Sequence, residues 1–91
     1  MYGIKYNQRD IQERLSYEIN YKKTLEDKIA LMQKDRLRVQ NDETKTIIDG
    51  AIKDIENRMS KSVKYIELYS NLIEEFIIGK RKIASYYDIF K

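Results

Sequence analysis

Apolar residues recur along most of this chain in alternating steps of three and four, the spacing that builds one stripe along a helix. The longer unbroken stripe runs Ile48, Ile52, Ile55, Met59, Ser62, Ile66, Tyr69, Ile73 and Phe76, with Ser62 its one small polar member. An earlier stripe runs Ile4, Gln8, Ile11, Leu15, Glu18, Lys22, Leu25, Ile29, Met32, Arg36 and Val39. Four polar residues interrupt it, and Ile19 widens it beside Glu18. Between the stripes lies Gln40-Asn41-Asp42-Glu43-Thr44, whose Asn and Asp favour turns and helix N-caps. Asn7 followed by Asp10 has the form of a capping pair.

These signals predict a single helical domain over residues 1–91. The first helix is expected at about 7–39, a turn at 40–43, and a second helix at about 44–78, capped by Asn41 or Asp42. The fold class is all-α: an antiparallel, coiled-coil-like two-helix hairpin about 50 Å long, with a short C-terminal helix or helical extension. Folding about residue 42 pairs Arg36 with Ile48, Leu25 with Met59, Lys22 with Ser62, Glu18 with Ile66, and Leu15 with Tyr69. Lys22, Ser62 and Glu18 would then form a polar layer, unless Lys22 turns its amine out to water.

The apolar phase continues past Phe76 through Ile83, Tyr87 and Phe90, which predicts an amphipathic C-terminal helix at 80–90 with Arg81, Ala84, Ser85 and Asp88 opposite. Gly79 is either carried inside a long helix or ends the second one. Beyond position 80 the first helix runs out. The tail must therefore fold back over the open end or overhang and dock on another chain.

Apolar residues also flank the seams, among them Tyr17, Tyr21, Tyr65, Leu68 and Leu72. A lone hairpin would leave many of them in water, so the expected assembly is a two-fold homodimer forming a four-helix bundle. Tyr17, Tyr21, Tyr65, Leu68, Leu72, Ile83, Tyr86, Tyr87 and Phe90 are the candidate partner interface. Tyrosine, present eight times, is a residue type enriched at such surfaces.

Composition narrows the chemistry. The chain has no cysteine, histidine, tryptophan or proline, so thiol, imidazole and disulfide chemistry are excluded. Adjacent carboxylates (Glu26–Asp27, Asp42–Glu43, Glu74–Glu75) point about 100° apart on a helix and do not converge. No glycine-rich phosphate loop is present. No catalytic residue, metal ligand or cofactor site is expected, and the chain is read as a non-enzyme. Heavy use of Ile, Lys, Asn and Tyr suggests AT-rich coding, as in a low-GC bacterium, its phages or another mobile element.

The net charge of +3 is unevenly placed: residues 1–40 and 80–91 are each net basic, and 41–79 net acidic. Such halves suit helices that lie side by side. Residues 1–20 lack a continuous apolar stretch and no run of 18 apolar residues occurs, so neither a signal peptide nor a membrane span is expected, and a cytoplasmic setting is.

The expected function is binding another protein, as an inhibitor, adaptor or chaperone-like accessory. One rival is nucleic-acid association through Lys22, Lys23, Lys80, Arg81 and Lys82, although three clustered basic residues make a small electrostatic footprint. Another is a secreted hairpin: the size and plan look like those of the small WXG-type proteins. QNDET stands where their Trp-x-Gly turn would be, and no Tyr-x-x-x-Asp/Glu export tail occurs, so no residue role is carried over.

Overall fold

Residues 4–90 are described by the computed structural model. Two long helices dominate: α1 (Gln8–Arg38) and α2 (Asp42–Ile77), packed side by side as an antiparallel hairpin. A short β1 (Lys5–Tyr6) precedes them; β2 (Ala84–Ser85) and a one-turn α3 (Tyr86–Ile89) follow. The strands pair antiparallel, Lys5 with Ser85 and Tyr6 with Ala84.

The helix ends follow the local chemistry of the sequence. Asn7 and Asp10 form a reciprocal capping box, the Asn7 side chain accepting from the Asp10 N–H at 2.9 Å and Asp10 from the Asn7 N–H at 3.0 Å. The Asn41 side chain accepts from the N–H groups of Glu43 and Thr44, so α2 starts at Asp42, two residues before the sequence suggested. Val39 to Asn41 is the whole connection.

That tight turn sets the pairing. Near it the expected match holds within a residue: Arg36 meets Asp49, next to Ile48, with N–O distances of 2.6 and 3.2 Å. Farther along, Ser62 meets Glu18 rather than Lys22. Its hydroxyl, buried in the seam, contacts the Glu18 carboxylate at 2.8 Å and the Glu18 carbonyl oxygen at 3.2 Å. Lys22 instead reaches Glu26 one turn along α1, at 2.8 Å, and so leaves the polar layer. A short serine at this level lets the two backbones approach while its one proton is satisfied.

The tail departs from the expected helix at 80–90; only Tyr86–Ile89 is helical. Gly79 takes φ +80, with its N–H donating to the Phe76 carbonyl and that of Lys80 to the Glu75 carbonyl. This pair of bonds is a Schellman ending, and the positive φ is where glycine is favoured. The chain then turns back over the open end of the hairpin. A straight helix would have carried its apolar residues past α1, whereas the reversal buries Ala84 and Ile89 with Ile11, Tyr69 and Leu72. The burial phase is consequently changed in part: Ala84, expected on the polar side, is fully buried and Ile83 and Tyr87 are about half exposed, while Ile89 and Phe90 stay on the core side as the spacing required.

A second, thinner core of Leu25, Ile52 and Ile55 occupies the middle of the seam. Among the described residues no helix is long and apolar enough to cross a membrane.

Candidate functional site

The open end gathers the aromatic residues. Tyr65 and Tyr69, one turn apart on α2, stack at 5.9 Å between centroids. Phe90 meets Tyr65 edge-on at 6.3 Å and Tyr86 at 4.9 Å. Arg14 places its guanidinium 4.7 Å from the Tyr6 ring centre and 5.7 Å from that of Phe90, and donates to the Tyr6 hydroxyl at 3.3 Å. One cation thus bridges the first strand and the last helix through ring faces.

Beside this cluster a cleft of about 570 Å³ is lined by Tyr6, Tyr17 and Tyr69 together with Arg14, Lys5 and three carboxylates, Asp10, Glu13 and Glu18. Burial pushes the Tyr69 phenol above its ordinary pKa, and the neighbouring Arg14 pulls it partly back. Tyr17 stacks on Tyr21 at 6.1 Å and stands 65% exposed at the rim.

The nine candidate interface residues therefore divide. Leu72 is buried in the chain's own core, and Tyr65, Leu68 and Phe90 pack against it. Tyr86 spends its ring on Phe90 and Tyr87. Tyr17, Ile83 and Tyr87 keep about half or more of their surface exposed, and Tyr21 is half-buried. The reversal at Gly79 is what removed the first group, because the tail covers the patch that an extended helix would have left open.

The candidate nucleic-acid residues divide as well. Arg81 is held between Glu75 at 2.7 Å and Asp88 at 2.8 Å, so its charge is neutralised within the chain. Lys80 and Lys82 are exposed. Lys22 and Lys23 lie about four turns into α1, roughly 20 Å from the open end, and do not join them in one patch.

Arg81 and Asp88 form the clasp of the tail. Asp88 accepts from the Ser85 N–H at 2.7 Å, from the Ser85 hydroxyl at 3.0 Å and from Arg81. The Ser85 backbone bond chiefly, then its hydroxyl and the Arg81 charge, hold the Asp88 carboxyl below its usual range despite some desolvation. A depressed carboxyl pKa stabilises the docked state above the unfolded value of about 3.9, and that contribution disappears as pH falls through the lower folded value. The Ala84 methyl NMR signal should therefore shift as the tail loosens in acid. Asp88→Asn should remove most of that titration.

Arg14 and Tyr6 carry the cluster yet escaped the sequence reading. Arg14 flanks the α1 seam on the side of Tyr17 and Tyr21, a position legible from periodicity. Tyr6 precedes the Asn7 cap, and only the returning tail makes it a packing residue. No protein-family model, curated protein or solved structure matches this chain.

Proposed function

We propose that this chain is a non-enzymatic helical protein that acts by binding another protein, as an inhibitor, adaptor or accessory, and that it does so as a homodimer. One observation carries the reading. After the tail has covered what it can reach, large apolar side chains stay exposed along the hairpin, including Tyr17 at 65%, Leu31 at 62% and Ile47 at 67%. Apolar and aromatic side chains left this exposed supply surface that a partner would bury. Tyr17 and Tyr21, stacked and only partly covered, are suited to be an anchor. The nucleic-acid reading loses Arg81 to the clasp, which argues against it.

Quantitative capture from a host extract tests the proposal, using the wild-type chain and Tyr17→Ser immobilised side by side. The expected result is a stoichiometric protein that the wild type retains and Tyr17→Ser loses about tenfold, the weight of one interface anchor. Equal capture by both, or capture of nucleic acid at near-physiological salt in place of protein, would contradict it.

A further inference from the structure

The hairpin is one layer thick, with Cα extents of 57 × 23 × 14 Å. Two helices side by side bury only the seam between them, and each broad face stays wet unless something lies on it. The tail takes the open end of one face, where Phe90 meets Tyr65 and Arg14. At about 100° per residue, Ile19 and Lys23 on α1 and Glu56, Val63 and Glu67 on α2 fall on the other flank of the seam.

That second face holds a groove of about 550 Å³ between the helices, floored by Ile19, Val63 and Ile66, and no described residue of the tail lines it. Ile19 is 50% exposed and Val63 38%. They stand within about 3 Å of the same level, since Glu18 and Ser62, the residues before them, share a hydrogen bond and each helix rises about 1.5 Å per residue in opposite directions.

Charge around the groove is unequal between the helices. On this side α1 carries Lys22, Lys23 and Glu26, the last ion-paired with Lys22 at 2.8 Å, and is net basic, whereas α2 carries Glu56, Glu67 and Glu74 and is acidic. A second copy can be laid face to face in two symmetric ways. With the two-fold axis across the hairpin, α1 lies on α1, basic edge on basic edge. With the axis along the hairpin, α1 lies on α2, basic edge on acidic edge.

We infer that this face receives a second copy of the chain, with the two-fold axis parallel to the helices. Each Ile19 then covers the partner's Val63, and the lysines of each α1 face the glutamates of the other α2. A face of 57 × 23 Å accommodates the about 800 Å² per partner of a standard interface. This arrangement rests on the protein-binding reading above and names the chain itself as one partner; the tail, on the far side, does not obstruct it.

Sedimentation velocity on the full chain, with a charge-exchange pair, tests the inference. The wild type should sediment at twice 11.0 kDa at high micromolar concentration, and dissociate more readily as salt is raised. Lys22→Glu/Lys23→Glu and Glu56→Lys/Glu67→Lys should each weaken self-association by about tenfold or more, since each sets like charges together. Mixed, the two variants should restore a dimer, because both halves of the hetero-interface again pair unlike charges. Circular dichroism of each variant confirms that the helices remain. A wild type that stays monomeric, or variants that dimerise as well alone as mixed, overturns the inference. Capture dependent on Tyr17 is read on the opposite flank of α1, so a monomer that still captures its protein would defeat the dimer and leave the binding reading standing.

Discussion

Replacing Leu25 by alanine should lower the free energy of unfolding by about 3 kcal/mol, because a fully packed leucine leaves both its transfer energy and a cavity behind. Leu25 is 1% exposed in the middle of α1, level with the thin core of Ile52 and Ile55. A chain of this length holds about 5–13 kcal/mol in total, so the loss is a large share. In a thermal melt it corresponds to a fall of about 15 °C. Leu31→Ala is the control, since Leu31 lies on the same helix but outside the seam; its cost should stay within about 0.5 kcal/mol. Both are to be measured at one protein concentration, because self-association would add to the apparent stability. A loss below about 1 kcal/mol for Leu25→Ala would mean that the seam is not packed at its centre.

Tyr69→Ala should cost about 3–4 kcal/mol, as expected for deleting a buried ring. Tyr69 is 3% exposed and sits under the returning tail with Ile11, Leu72, Ala84 and Ile89. Its ring supports the stack with Tyr65, and Tyr65 in turn supports Phe90. The effect should therefore be regional. Amide exchange at Ala84, Phe90 and the first turn of α1 should accelerate strongly, while the turn around Asn41 exchanges as before. A uniform acceleration along both helices would show that the open end and the middle unfold as one unit.

The two substitutions probe parts of the fold that differed in how far the sequence revealed them. The hairpin was legible because its signals are local and agree: a sustained three-and-four spacing, Asn7 with Asp10 at one helix start and Asn41 at the other. Each works through a backbone it touches within a few residues, so no tertiary knowledge is needed. The tail was legible only as an alternative: Gly79 could end the second helix and let the chain fold back over the open end, but the three-and-four spacing ran on past it and described a helix equally well on paper. What decided against that helix is non-local. Tyr6 supplies a strand partner, Glu75 and Asp88 hold Arg81, and Ile11 and Tyr69 offer a surface that Ala84 and Ile89 can fill. None of those gains is visible along residues 80–90 alone.

Site residues followed the same division. Tyr17 and Tyr21 lie on one flank of α1, as spacing required, and remain exposed or half so. Leu72, Tyr65, Leu68 and Phe90 carry an equally apolar pattern but are used internally. Periodicity marks which side chains want burial; it does not say whether the same chain or another one provides it. The basic run Lys80–Lys82 makes the point for charge: Arg81, its middle member, is spent on two carboxylates that the turn at Gly79 brings within reach.

The central claim is that one chain doubles back at Val39–Asn41 and packs α1 along α2. Pulsed electron paramagnetic resonance between spin labels at Ser16→Cys and Lys64→Cys measures it directly, and the natural absence of cysteine makes the labelling clean. Both positions are exposed and lie at nearly the same level of the hairpin. Labelled protein should be diluted in an excess of unlabelled chain, so that only distances within one molecule are recorded. The hairpin predicts a separation within about 30 Å, the helix spacing of about 8–10 Å plus two label arms. One uninterrupted helix would place the labels about 70 Å apart. That long distance, or a short one that disappears on dilution because the pairing helices belong to different chains, would contradict the account.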